Sequence, residues 1–181
     1  MPVKFKYFDA SALVKLYIKK EDNQQLRDFY YKDTNLFGTK FFTTWLCLAE
    51  ALGVLKSKWS GQQSKDNSTK IETDEYLKAV FSLIIEWRNR IESDDIKSVD
   101  PSVPHQVRNI AEKYNLDYSD ALQLWSIRNG RLSPFAVEAE PNVYESALIL
   151  ITADKGLASA AESVGIKVWN CTTGPAPGWA Y

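Results

Sequence analysis

The feature that most constrains this chain is one unbroken apolar run, Ala-Leu-Ile-Leu-Ile-Thr, at residues 147–152. A strand with one solvated face alternates apolar and polar residues, whereas a strand covered on both faces has no need to alternate. Strands of the second kind belong to parallel sheets whose faces are packed against helices. The run therefore predicts a buried parallel strand.

Strand-like and helix-like segments alternate along the rest of the chain. We predict strands at 4–8, 41–44, 96–99, 147–152 and 166–169, and helices at 11–18, 23–32, 46–59, 73–91, 103–114, 118–128 and 155–163. This alternation predicts an α/β fold with a central, mainly parallel sheet flanked by helices. The length, 181 residues, suits a single domain over 1–181.

The helix at 73–91 is long and amphipathic. Its apolar residues recur at helical spacing, so we expect one face to point inward, comprising Tyr76, Leu77, Val80, Phe81, Ile84 and Trp87.

Bulk composition narrows the class of protein. No apolar run approaches the ~20 residues that a membrane helix needs, and the first residues lack a signal-peptide layout, so we expect a cytoplasmic protein without membrane contact. The formal net charge is −1, without the positive excess usual for proteins that bind duplex DNA. Neither a Rossmann glycine pattern nor a P-loop follows any predicted strand.

Four acidic residues lie at the edges of apolar segments that are far apart in sequence: Asp9, Glu50, Asp120 and Asp154. Asp9 and Asp154 follow predicted strands, and in open α/β sheets ligands bind beyond the carboxyl ends of the strands. Local explanations also exist. Asp9 and Asp154 precede helices and suit N-caps, Asp120 lies in a first turn that Asp117 would cap, and Glu50 could be a surface residue.

Gathered into one place, these carboxylates would raise one another's pKa unless a cation compensated. Mg²⁺ or Mn²⁺ prefers oxygen ligands, and one or two ions are both compatible with four acids. The single histidine, His105, and two cysteines, Cys47 and Cys171, make a zinc site or a disulfide framework improbable. The residues therefore predict a divalent-metal site of the kind that performs phosphoester chemistry.

Four motifs resemble those of PIN-domain ribonucleases, best known as VapC-type toxins. They are YFDASALVKLY at 7–17, AEAL at 49–52, SDALQL at 119–124 and LITADKGLA at 150–158. Their order and approximate spacing also match, and the resemblance covers most of the chain. The chain is longer than is common for such toxins, with apparent insertions at 60–74 and 130–146.

The resemblance implies a PIN-like fold and Mg²⁺- or Mn²⁺-dependent cleavage of single-stranded RNA, as the toxin of a type II toxin–antitoxin pair. It implies that Asp9, Glu50, Asp120 and Asp154 are the catalytic, metal-binding acids. Ser11, Asp117 and Thr152 lie beside these acids in the motifs, and the resemblance implies that they are auxiliary residues. The resemblance also implies an antitoxin partner and often a homodimer.

Basic and aromatic residues near the acids in sequence are candidates for holding an RNA strand. Lys15, Lys56, Lys58 and Lys155 could contact phosphates, and Trp59 could stack a base, although solvation alone would also explain the lysines.

Two other functions compete with the nuclease. The first is an inactive PIN-like scaffold that binds RNA or a protein. The second is a phosphatase with Asp9 as nucleophile, which in the haloacid-dehalogenase type needs a second Asp where this chain has Ser11.

Overall fold

The computed structural model describes residues 3–19, 23–33, 39–61, 70–94, 100–136 and 146–181. Within these ranges five strands form one sheet in which every pairing is parallel. The strands are β1 (Lys4–Phe8), β2 (Thr39–Thr43), β3 (Ile91–Ser93), β4 (Ala147–Thr152) and β5 (Val168–Asn170). Their order across the sheet is β3-β2-β1-β4-β5.

Seven α-helices connect or cover these strands in the described ranges. They are α1 (Ala10–Tyr17), α2 (Gln24–Asp33), α3 (Trp45–Ser60), α4 (Thr73–Asn89), α5 (Val103–Tyr114), α6 (Tyr118–Asn129) and α7 (Lys155–Ser163). Short 3₁₀ helices lie at Ser133–Phe135 and Gly178–Ala180. The prediction of an α/β fold with a parallel central sheet between helices is confirmed.

The sheet separates two apolar cores, as expected when successive side chains point to opposite faces. On β1, Phe8 packs with residues of α1 to α4, whereas Phe5 and Tyr7 pack with residues of α6 and α7. Helix α5 packs outside α6 through Val103 and Val107. Strand β4, which lies between β1 and β5, is buried at all six positions, which confirms the interpretation of its unbroken apolar run.

The predicted inward face of α4 is wrong in part. Leu77, Phe81 and Ile84 are exposed by 56%, 67% and 43%, and the fully buried side chains are instead Ala79 and Leu83. Helix α4 packs against α1 and α3, and the small Ala79 side chain permits that close approach. The apolar stripe is therefore wider than the surface that these two helices cover.

Other predictions need adjustment at their boundaries. Helix α4 ends at Asn89, and β3 begins at Ile91, which the sequence had placed at the end of the helix. The strand predicted at 96–99 lies in a part outside the described residues, as do 62–69 and 137–145 of the two predicted insertions. None of the described helices is long and apolar enough to span a membrane.

Candidate active site

The site lies at the point where the connections of the sheet diverge. From β1 the chain moves through β2 to β3 on one side, whereas β4 and β5 occupy the other side. The adjacent strands β1 and β4 run parallel, so their carboxyl ends reach the same edge of the sheet. In open α/β sheets, ligands bind at such a switch point. Asp9 follows β1 here, and Asp154 follows β4.

Asp9 is the most buried of the predicted acids, with 3% of its surface exposed. Its Oδ2 atom accepts hydrogen bonds from Thr152 Oγ1 at 2.8 Å, from the Ser11 backbone N–H at 3.1 Å, and from the Ser11 hydroxyl. Burial raises the pKa of Asp9, whereas the hydrogen bonds from Ser11 and Thr152 oppose that rise. The two hydroxyls therefore favour the charged form of a carboxyl group that desolvation would keep protonated.

The same hydroxyls connect Asp9 to Asp154. Thr152 Oγ1 accepts from the Asp154 backbone N–H at 2.9 Å, and Ser11 Oγ accepts from the Ala153 N–H at 2.8 Å. Asp154 Oδ1 in turn accepts from the Leu157 N–H at 2.8 Å, as the N-cap of α7. Asp9 caps α1 in the same way. The local capping explanation is thus correct for both acids, and both still face the carboxyl edge.

Glu50 and Asp117 approach each other through a shared serine. The Ser119 hydroxyl lies 3.0 Å from Glu50 Oε2 and 2.8 Å from Asp117 Oδ1. Since a hydroxyl carries a single hydrogen, it can serve only one of these acceptors at a time. Burial first, and then the charges of Asp9 and Asp117, raise the pKa of Glu50, which is half-buried rather than a surface residue.

Asp117 and Asp120 lie at the start of α6. Asp117 is the predicted N-cap, and its Oδ1 accepts from the Asp120 N–H at 2.9 Å. One turn later the buried Gln123 donates from Nε2 to the Phe8 carbonyl at 3.3 Å. Residues three apart share a helix face, so this bond aims Asp120 at the end of β1.

The pKa of Asp120 reflects both its burial and the other acids of the site. Burial raises its pKa to about 8, together with the negative charges of Asp9, Asp117, Asp154 and Glu50. Asp120 therefore lies within electrostatic range of acids from three other segments of the chain as well as of Asp117. The structure brings together every acid that the sequence predicted for the site.

The donor chemistry suits a hard cation. The five acids offer carboxylate oxygens, the ligands that Mg²⁺ and Mn²⁺ prefer, and their mutual repulsion favours a compensating charge. Among the residues that the structure describes, no group of three or more His, Cys, Asp or Glu side chains has an arrangement that could hold a metal ion. Metal binding therefore stays a prediction, which the composition of the site supports.

Cys47 lies next to these acids without adding a thiolate. It is 1% exposed, and its pKa is raised to about 12 by burial and then by the charge of Asp9. The thiol is therefore neutral and packs as a small apolar side chain. Within the described residues, neither Cys47 nor Cys171 forms a disulfide bond.

Sequence reasoning did not assign a role to Ser119 or Gln123, which position the acids of two helices. Gln123 gave a weak signal, because a polar residue in an otherwise apolar turn needs a buried partner. Ser119 gave none, since a serine near a helix start is common. Asp94 also follows a strand at this edge, but Arg131 Nε lies 3.0 Å from its Oδ1 and compensates its charge.

The structure places the residues that were predicted to contact RNA at different positions relative to the acids. Lys56 and Lys58 follow Glu50 by six and eight residues on α3, so a rise of about 1.5 Å per residue places them roughly 9–12 Å along the helix from that acid. Trp59 stacks on Tyr76 with ring centroids 4.9 Å apart, so its ring joins α3 to α4. Lys155 begins α7 shortly after β4, whereas Lys15 lies in the last turn of α1, and all four lysines remain candidates.

Comparisons with known proteins do not identify a family. No protein-family model matches the chain, and no curated protein matches it. Among solved structures, the crystal structure of PAE2754 from Pyrobaculum aerophilum is similar, with 18% sequence identity and a TM-score of 0.49. The alignment covers 93% of this chain and 92% of that one. We draw no argument about function from a likeness at this level.

Proposed function

We propose that this protein is a metal-dependent endoribonuclease with a PIN-like fold. The observation that carries the proposal is the grouping of acids at the switch point between β1 and β4, where burial first, and then the charges of Asp9, Asp117, Asp154 and Glu50, raise the pKa of Asp120 to about 8. Structural ion pairs place acids beside bases. A group of acids beside one another in a cleft is instead typical of a functional site.

The acids divide into two roles under this proposal. Asp9, Glu50, Asp120 and Asp154 would hold Mg²⁺ or Mn²⁺, and Asp117 would assist from the second layer. Such an ion supplies Lewis-acid stabilisation of charge on phosphoryl oxygens and a more acidic water.

The chain's own residues prepare the site for that ion. Ser11 and Thr152 favour the charged form of Asp9 by donating to Oδ2, against the effect of burial. Ser119 fixes Glu50 against Asp117. Burial and the neighbouring acids raise the pKa of Asp120 to about 8 in the metal-free protein, so Asp120 would lose its proton when the ion binds.

RNA as substrate rests on the four motifs that resemble PIN-domain ribonucleases, since the acids alone would suit any phosphodiester. The role of a toxin within a type II pair, with an antitoxin partner, rests on the same resemblance. An antitoxin that placed a basic side chain among these acids would satisfy the same charge requirement as a metal ion.

A non-catalytic scaffold is the second candidate, and the surface of α4 favours it. Leu77, Phe81, Ile84 and Ile85 are exposed by 39–67%, and contiguous exposed apolar surface often marks a binding site for another protein. Titration calorimetry with Mn²⁺ separates the two functions, because a scaffold would give no heat that depends on the carboxylates. The exposed face is also compatible with a nuclease that forms dimers.

The test is cleavage of single-stranded RNA by the purified protein with Mg²⁺ or Mn²⁺ and with EDTA. We expect Asp9→Asn and Asp154→Asn each to lower the rate at least about 100-fold, because each removes a carboxylate that holds the ion. Asp74→Asn is the matched control, since Asp74 lies on the first turn of α4, away from the sheet edge. Undiminished cleavage in the first two variants would refute the assignment.

A further inference from the structure

A second feature is a pocket of about 610 Å³ between α1, the start of α2 and the turn after β5. Its polar lining includes Lys15, Gln24, Gln25, Thr172 and Thr173. Its volume lies within the ~300–1,000 Å³ range that is typical of small-molecule sites. None of the acids discussed above lines it.

One wall of the pocket is connected to Asp9 through residues of α1. Ser11 and Lys15 are four residues apart on this helix, so they lie on the same face with Cβ atoms about 5–6 Å apart. The Ser11 hydroxyl contacts Asp9 Oδ2. The lysine of the pocket therefore lies one helical turn from a residue that holds the central acid.

The opposite wall is tied to Asp9 through β4. The Cys171 backbone N–H donates to the Thr152 carbonyl at 2.9 Å, and the Thr152 hydroxyl donates to Asp9 Oδ2. Thr172 and Thr173 follow directly. Their hydroxyls bond to Asn170 Oδ1 at 2.7 Å and to its carbonyl at 2.9 Å, which fixes the shape of the turn.

The two walls differ from the acid site in charge. Lys15 contributes a positive charge and Gln25 an amide, and both can donate to phosphate oxygens. No aromatic side chain is among the described residues that line the pocket, so base stacking is not what it offers. Such a lining suits the sugar–phosphate backbone of a nucleic acid rather than its bases.

We infer that this pocket is the subsite for a flanking nucleotide of the substrate strand, in which Lys15 holds a phosphate next to the one that is cleaved. The inference rests on the proposed nuclease function. It specifies the substrate class as a polynucleotide with at least one phosphate beyond the scissile one. Phosphomonoesters and dinucleotides with a single phosphate should be poor substrates.

The test compares Lys15→Gln with Lys78→Gln, which removes an exposed lysine from α4. A fluorescent, short single-stranded oligoribonucleotide is titrated into each variant in an Asp154→Asn background, where turnover is suppressed. We expect Lys15→Gln, but not Lys78→Gln, to weaken RNA binding about 3–10-fold at low salt. It should also reduce by about one the slope of log binding constant against log salt concentration. In the active background KM should rise several-fold, by more than kcat falls. Thermal unfolding of both variants checks that the fold is retained.

The outcomes separate the inference from the proposed function. If wild-type protein cleaves RNA and Lys15→Gln matches Lys78→Gln in binding and KM, the subsite is refuted and the nuclease stands. If wild-type protein cleaves no RNA, the nuclease fails, and a selective loss of binding in Lys15→Gln still supports a polyanion subsite. Equal or absent binding in both variants overturns the subsite in either case.

Discussion

Thr152, at the end of β4, donates a hydrogen bond from Oγ1 to Oδ2 of Asp9, at the end of β1, over 2.8 Å. The two residues are 143 positions apart in sequence. The same oxygen of Thr152 accepts from the Asp154 backbone N–H, so one buried hydroxyl joins two acids of the site.

Replacing this threonine tests whether the hydroxyl prepares Asp9 for a cation. Thr152→Val keeps the shape but removes one of the three donors to Asp9 Oδ2 and the acceptor of the Asp154 N–H, which should lower the free energy of unfolding by about 1–3 kcal/mol. We also expect weaker Mn²⁺ binding in titration calorimetry, because the pKa of Asp9 should rise further.

Thr43→Val is the matched control for that variant. Thr43 is equally buried, and its hydroxyl donates to the Phe8 carbonyl at 2.9 Å rather than to a carboxylate. It should lose stability but retain its Mn²⁺ affinity. Equal affinities in the two variants would argue that Thr152 has only a structural role.

The pKa of Asp120 predicts a pH-dependent stability in the absence of divalent cations. Between the ordinary value near 4 and about 8, the folded protein keeps a proton that the unfolded chain releases. The free energy of unfolding should therefore fall as the pH rises through this window. Asp120→Asn removes that loss, so in EDTA the variant should gain roughly 1–3 kcal/mol over wild type between pH 5 and 8, allowing for solvent screening.

Urea denaturation at several pH values measures this gain. A difference between variant and wild type that does not change with pH would contradict the assigned pKa. Added Mg²⁺ should stabilise wild-type protein at pH 8 and have less effect on Asp120→Asn, because an ion that binds only the folded state raises its stability.

The buried Lys6 should make the free energy of unfolding depend on pH in the opposite direction to Asp120. It is wholly buried on β1, its Nζ lies 3.4 Å from the centroid of the Phe29 ring, and burial lowers its pKa to about 6. Between about 6 and the ordinary value near 10, the unfolded chain holds a proton that the folded protein lacks. This group therefore makes the protein more stable as the pH rises.

Lys6→Met keeps the length of the side chain and removes its titration. We expect a gain of about 1–3 kcal/mol at pH 7 that shrinks toward pH 10, measured by denaturant unfolding. Lys78→Met, at an exposed position, should change stability little at any pH. A destabilised Lys6→Met protein would show that the lysine has a favourable interaction stronger than its desolvation cost.

The two sides of α4 should respond differently to truncation. Leu83 is fully buried, so Leu83→Ala should cost about 2–5 kcal/mol. Phe81 is 67% exposed, so Phe81→Ala should stay within about 0.5 kcal/mol. If copies of the chain associate through this face, light scattering should show that Phe81→Ala favours the monomer. A large loss of stability in Phe81→Ala would place that ring in a core.

Four of the five strands in the described sheet, and the acids of the candidate site, could be predicted from the sequence for a local reason. An unbroken apolar run such as 147–152 is tolerated only inside a covered parallel sheet, and acids such as Asp9 and Asp154 that end such strands must share its carboxyl edge. Hydrophobic periodicity likewise located α4, since it depends only on the order of residues along one helix.

The tertiary structure alone decided which side of α4 is covered, because periodicity gives the width of an apolar stripe and not the neighbours available to cover it. It also decided that Ser119 lies between Glu50 and Asp117, and that Asp120 faces four other acids. Hydrogen bonds and Coulomb interactions depend on distances through space, and the distances between segments tens of residues apart are set only when the chain packs.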